Sequence, residues 1–391
     1  MGGPVFYPDS CRLAPGEFVN TYEVGEHLGQ GRFSDVYLTR KDGRQFALKA
    51  LRKSYSKKDV KYEKRSLKAM AGCKRVLFLH DSFTHNGHEI LVLPILGQSL
   101  YDVLQWRYDF RKLGLVEDDL GLPLKLCQKL AVDIIKAVHE MHSRGYLHSD
   151  LKPENLMISR KFSDAKELYE ARPDSWYVVV GDLGNAFPHD TNEGFHLGTT
   201  GYRAPELTIQ CSPYSKMVDI WSVACIIFEM RTRMHLFDTT MDEEEIMGTL
   251  TSDESDDADE EEEDDETEMQ EDEEHEMTDD SDDEAETNVS DYAATRVFQR
   301  VCGRFPSSMV RNARYGRLLF NRKGFVRDCP PPVRRDSARD GIMEVLIDFE
   351  TMKDEEKQAL AESLAPLVKL SASLRSSGSS FHESPWCRYS A

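Results

Sequence analysis

The chain has 391 residues, 40% hydrophobic and 30% charged, enough for two domains or one bilobal unit with a sizeable core. No apolar run is long enough to cross a bilayer, and the opening MGGPVFYPDS lacks the charged and apolar regions of a secretory leader. The net charge of −21 is concentrated: 28 of the 70 acidic residues fall between Asp242 and Glu286, where there is no Lys or Arg, leaving 42 acids against 49 bases elsewhere, a net of +7.

Gly2 is present, but Phe6 stands where a myristoylation signal needs Ser or Thr. The eight cysteines contain no C-x-x-C and read as reduced thiols, not as a zinc site or disulfide framework. An intracellular protein is the expectation, cytoplasmic and/or nuclear. The same reading expects no membrane partner, no direct nucleic-acid partner and a monomer.

Strand patterns open the folded part: YEVGEHL, then DVYLTR and RQFALKA joined across KDGR, a D-G turn signal. A charged helical stretch, KDVKYEKRSLKAM, precedes the apolar run EILVLPIL. From Leu124 the period lengthens: Leu130, Ile134, Val138 and Met141 fall at helical spacing, and Gly145 ends the helix. SWYVVVGDLG reads as a buried strand into a turn, and DIWSVACIIFEM as a helix buried on all sides. The acidic stretch 242–286 repels itself and has few large apolar side chains, which predicts a disordered insertion. The folded part is thus expected over about 20–241 and 287–391, after an N-terminal extension, 1–21.

Four motifs carry chemistry. LGQGRFSDVY (Leu28–Tyr37) is a glycine-rich turn whose amides can approach a phosphate with no Cβ in the way. Ser34 replaces a third glycine, so a plain hairpin is the alternative; no helix follows directly, which argues against a dinucleotide-binding βαβ unit. FALK puts Lys49 on the next strand pattern, a cation suited to nucleotide phosphates, with Glu63 of YEKRSL as its partner or else on a solvated helix face. HSDLKPENLM follows the spacing H-R-D-x-x-x-x-N from Asp150 to Asn155, with Ser149 in place of the arginine. GDLGNA supplies Asp182, and carboxylate plus amide oxygens suit Mg²⁺.

In this order the motifs resemble those of protein kinases and, within the CMGC group, the SR-protein kinase family. Gly2-Gly3, Tyr7-Pro8, Phe18 and YEV are similar to that family's lead-in. Gly31–Val36 is similar to its G-x-F-S-x-V loop, DLGNA and FNRKG to its signatures, and SPW with Arg375 to its ending. The resemblance implies an α+β bilobal fold: a small β-rich lobe over about 22–93, a hinge near 94–97, and a larger helical lobe to residue 391 that carries the acidic insert.

It also implies ATP and Mg²⁺ as cofactors and serine/threonine transfer to basic Arg/Ser-rich proteins of the splicing machinery. Asp150 would take or orient the hydroxyl proton, and Lys152 would neutralise the moving phosphoryl group. Asn155 and Asp182 would hold the metal. Leu28, Gly29, Gly31, Val36, Ala47, Lys49, Glu63 and Met157 would frame the nucleotide. Thr199 would contact the catalytic loop, Asp219 would anchor its backbone, and Glu206 would pair with Arg375.

The chain departs from the family in having only a short spacer, KFSDAKELYEARPDS, after the catalytic loop. Met234 and Arg300 also fall where substrate-docking acids are expected. Two rivals remain: a LAMMER-type dual-specificity kinase, whose name motif is replaced here by MDEEEIMGTL, and a pseudokinase scaffold that binds basic proteins through the acidic tract.

Overall fold

Period-two alternation of β-branched and aromatic residues gives a small lobe built on one sheet. Six antiparallel strands, β1 (Phe18–Val19), β2 (Tyr22–Gln30), β3 (Ser34–Lys41), β4 (Arg44–Leu51), β5 (Asp81–His85) and β6 (His88–Pro94), run in the order β1-β2-β3-β4-β6-β5. The computed structural model describes residues 7–31, 33–189, 197–253, 281–314, 316–321, 323–327, 329 and 338–390. The D-G turn behaves as the sequence predicts: Asp42 and Gly43 both adopt positive φ, 50° and 72°, the hand that matches strand twist in a two-residue hairpin.

Alternation along β4 sends Leu48 and Ala50 into a cluster with Cys11, Leu13, Val19, Val24, Tyr37 and Ile90. Cys11, Leu13 and Val19 are therefore part of this lobe's core, and the folded part begins ahead of the expected start near residue 20. The Tyr37 hydroxyl donates to Cys11 O at 2.8 Å and the Arg52 guanidinium lies 3.7 Å from the Tyr7 ring centre, so the early segment is tied down by polar as well as apolar contacts. Scattered apolar residues in a polar stretch gave no periodic signal for it.

Helix α1 (Lys57–Ala69) starts where Ser56 accepts the Asp59 amide, and Asp59 and Lys68 complement its dipole. It buries Val60, Glu63, Ser66 and Leu67 along one stripe.

The larger lobe begins with α2 (Leu100–Gln105), α3 (Arg107–Lys112) and α4 (Leu124–Ser143), and Gly145 past the end of α4 takes φ 78°. Two ribbons follow, β7 (Tyr146–Leu147) against β10 (Phe187–Pro188) and β8 (Leu156–Ile158) against β9 (Val178–Val180). Between the lobes, the Gly97 amide donates to Ile158 O at 2.8 Å, and a Cβ there would lie 2.1 Å from Arg160 O. Only glycine permits that approach.

Helix α5 (Ala165–Glu170) occupies the short spacer after the catalytic loop, and α6 (Pro205–Thr208) precedes α7 (Met217–Thr232). As its sequence predicts, α7 is buried on nearly every side. Trp221 stacks on Phe237 at 4.6 Å and meets Phe298 edge-on at 5.2 Å.

Helices run into both ends of the expected insert. Helix α8 (Thr240–Asp253) enters it and α9 (Ser281–Cys302) leaves it, while residues 254–280 lie outside the described part. The reason is a charge cluster. Asp242 is buried, with Arg296 Nε 3.2 Å and Arg300 Nη1 2.7 Å from its Oδ1. Arg296 and Arg300 stand one turn apart on α9, so one face offsets the acids of α8.

Short helices α10 (Ser307–Asn312), α11 (Gly316–Leu319), α12 (Ala338–Val345), α13 (Asp354–Leu364) and α14 (Pro385–Arg388) complete the lobe. All eight cysteines are free, and burial pushes the Cys127 and Cys302 thiols up to about 12, far from a reactive thiolate.

One buried pair escaped the sequence reading. Arg231 on α7 donates to Glu356 on α13 through Nε at 2.6 Å and Nη2 at 3.0 Å. Glu356→Ala strands a buried guanidinium and is expected to cost about 3–5 kcal/mol in urea-unfolding stability. An unchanged unfolding midpoint would contradict this.

Candidate active site

The glycine-rich turn links β2 to β3, with the Gly31 amide donating to Ser34 O at 2.8 Å and Arg52 Nη2 reaching Gly31 O at 2.8 Å. A Cβ on Gly29 would have no atom within 4 Å, so the space beside its backbone is open to a ligand. Leu28 is exposed, while Val36, Ala47 and Met157 are half-buried. Val36 lies opposite Lys49 across β3–β4, and Ala47 shares Lys49's face two residues away. Apolar side chains beside a lysine suit a flat base joined to phosphates.

Lys49 Nζ lies 2.6 Å from Glu63 Oε1 and 3.3 Å from Asp182 Oδ1. Burial acts to lower the lysine pKa, but the two carboxylates outweigh it and hold the pKa above its ordinary value. Reciprocally, the Lys49 charge holds the Asp182 carboxyl below the usual carboxylate range. Glu63 is on α1, so this pairing ties the helix to the sheet. Ser66 of the same helix donates to Ala186 O at 2.9 Å, which ties it to the turn after Asp182.

The catalytic loop hangs from one buried carboxylate. Asp219, in the first turn of α7, accepts the His148 amide at 2.9 Å and the Ser149 amide at 2.8 Å, and its Oδ2 is 2.7 Å from His142 Nε2. Burial acts to raise the Asp219 pKa, but the bond and charge of His142, with help from His148, bring it below the ordinary value. Held this way, Ser149 adopts φ 65° and its hydroxyl donates to Asn185 O at 3.0 Å. The serine in the motif thus fastens the catalytic loop to the turn that follows Asp182.

Asp150 is met from three sides. Thr199 Oγ1 donates to Asp150 Oδ1 at 2.7 Å, Lys152 Nζ donates to Thr199 Oγ1 at 3.0 Å, and Lys152 Nζ lies 3.7 Å from Asp150 Oδ2. Asn185 Nδ2 reaches Asp150 Oδ2 at 3.4 Å, a role for the asparagine of DLGNA that the motif spacing alone does not reveal. Asn155 Nδ2 donates to Asp150 O at 2.8 Å, and Gly181 N donates to Asn155 O at 2.8 Å, so Asn155, just before β8, and Asp182, just past β9, come together at one end of that ribbon. Asp182 itself takes φ 46° and keeps its carboxylate over half exposed.

Among the described residues no group of three or more His, Cys, Asp or Glu forms a resident metal cluster. One open carboxylate and one amide fit a hard cation that arrives with phosphates and keeps part of its water.

Glu206 and Arg375 come together as expected: Nη1 to Oε1 at 2.6 Å and Nη2 to Oε2 at 2.7 Å, with Arg375 also donating to Met217 O and Lys369 O. At the positions where docking acids were expected, Met234 is exposed, but Arg300 is engaged by Asp242. The sequence also gave no warning of Arg203 on Asp291, a pair 88 residues apart in the chain. Separation of that size leaves no periodic or local trace.

Comparison with known proteins fits this geometry. The family described as "Protein kinase domain" matches residues 22–304. A dual specificity protein kinase, lkh1, of Schizosaccharomyces pombe is 29% identical over 59% of this chain and 34% of its own length. The serine/threonine-protein kinase prp4 of the same yeast is 30% identical over 56% of this chain and 43% of its own. Mouse dual specificity protein kinase CLK2 is 29% identical over 56% and 44%. These relatives fall in the CMGC group, and the chain spans less than half the length of each.

Proposed function

Because the chain belongs to the protein kinase domain family, we propose that it is an active serine/threonine protein kinase that transfers the γ-phosphoryl group of ATP to protein hydroxyls. The observation that carries the reading is the contiguous set Lys49–Asp182 and Lys152–Thr199–Asp150, with charges and hydrogen bonds in place. A scaffold without activity would have no need of it.

In this reading Lys49, held by Glu63, positions the nucleotide phosphates, and Asp150 orients the substrate hydroxyl and receives its proton. The hydroxyl oxygen bonds to the γ-phosphorus as the bond to the bridging oxygen breaks, and ADP leaves. Lys152 offsets charge on the moving group. Mg²⁺, held by Asn155 and Asp182, would neutralise the phosphate oxygens when bound.

For substrates we propose Arg/Ser-rich proteins, handled by a monomer in the cytoplasm and/or nucleus. The resemblance to SR-protein kinases supports this, as does the acidic stretch 242–286, whose charge would draw basic chains. A second reading, dual specificity, is favoured by the names of two of the relatives above.

The deciding experiment offers radiolabelled ATP with Mg²⁺ and a panel of arginine-rich peptides that differ only in Ser, Thr or Tyr. Label on Ser and Thr alone supports the first reading, and label on Tyr supports the second. Asp150→Asn is expected to lower turnover at least a thousandfold while nucleotide binding stays within a few-fold. Turnover within tenfold of wild type would remove Asp150 from its role.

Ser149 generates a further prediction. An arginine at this position in many kinases is held by a phosphate on the activation segment; here the serine is bonded within the protein. Enzyme made in bacteria and treated with phosphatase should keep its transfer rate. A large loss restored by phosphorylating Thr199, Thr200 or Thr191 (the last outside the described residues) would refute this.

A further inference from the structure

Helix α9, which leads out of the acidic segment, touches the segment from Asp182 to Glu206 that carries Thr199, through Thr200 and Arg203. Arg203 stands between them: its Nη1 donates to Asp291 Oδ1 at 2.5 Å, while Nη2 and Nε donate to Gly198 O at 2.9 and 3.3 Å. Both side chains are largely buried, at 15% and 17% exposure, so water screens the pair weakly. One residue before Asp291 on the same helix, Ser290 Oγ lies 3.2 Å from Thr200 Oγ1.

Gly198 is tightly placed. Its φ is +87°, and a Cβ would sit 3.1 Å from Ser149 O and 3.3 Å from the Arg203 side chain. The next residue, Thr199, bonds both Asp150 and Lys152 and accepts the Tyr202 and Arg203 amides at 3.0 Å. A chain of bonds therefore runs from Asp291 through Arg203 and Gly198 to the threonine that orients the catalytic pair.

We propose that Asp291 is a positioning residue for phosphoryl transfer: its carboxylate orients Arg203, which fixes Gly198 and so Thr199 against Asp150 and Lys152. The device is a fixed carboxylate in the fold, supplied by the helix that roots the acidic segment. It makes that segment's attachment part of the catalytic geometry. The inference deepens the kinase reading and rests on it for its kinetic arm only.

The test compares wild type, Asp291→Asn and Asp291→Glu in the full-length protein, by steady-state kinetics and by hydrogen exchange. Asp291→Asn should lower kcat about tenfold while KM for ATP stays within twofold, since the nucleotide slot lies on other elements. Exchange at the Tyr202 and Arg203 amides should quicken about tenfold, with α4 amides unchanged. Asp291→Glu should recover most of both losses.

Equal loss in the two variants, or unchanged exchange at Tyr202 and Arg203 in Asp291→Asn, would overturn the proposal. A uniform rise in exchange across α4 as well would mark Asp291 as merely structural and would also overturn it. If wild type transfers no phosphate, the kinase reading fails, and the exchange comparison still decides whether Asp291 holds the segment.

Discussion

One buried carboxylate sets the geometry of the catalytic loop. Asp219 lies in the helix most completely surrounded by the large lobe, and it takes two consecutive loop amides and a histidine. Ionised hydrogen bonds of this kind are strong, and a buried carboxylate left without them would be costly, so the loop has little freedom to leave. The left-handed backbone of Ser149 is the result, and it turns Asp150 toward Thr199 and Asn185.

From that anchor two lines of contact spread. One passes through the Ser149 hydroxyl to Asn185 and so to Asp182, Lys49 and Glu63, which joins the lobes across the nucleotide slot. The other passes through Thr199 to Gly198, Arg203 and Asp291, which joins the catalytic loop to the roots of the acidic segment. Arg375 on Glu206 and Arg231 on Glu356 brace the same lobe from behind. On the reading proposed above, a loop held from within by so many protein groups has little need of an added phosphate, and Ser149, bonded to Asn185 O, takes the place of an arginine that would bind one.

Much of this was legible in the residues because local rules and short motifs were strong. Strand patterns marked β2, β3 and β4, an apolar run fell on β6, helical spacing marked α4, and a wholly apolar stretch marked α7. Lys49, Glu63, Asp150, Asn155 and Asp182 carry recognisable spacing, and the structure brings them together. What escaped was non-local. Cys11 and Leu13 reach the sheet through tertiary packing and the Tyr37 hydroxyl, and composition places Asp242 in a disordered run because it cannot reveal two arginines on a later helix that offset it. Arg203–Asp291 and Arg231–Glu356 were hidden for the same reason.

The most direct measurement is the transfer rate of Asp219→Asn against wild type at saturating ATP, with thermal unfolding recorded alongside. The amide keeps the size of the side chain but can accept through one oxygen only, so one of the two loop amides loses its partner. The account predicts a kcat at least a hundredfold lower with KM for ATP little changed, in a protein that still unfolds cooperatively. A folded variant that transfers phosphate at close to the wild-type rate would contradict it.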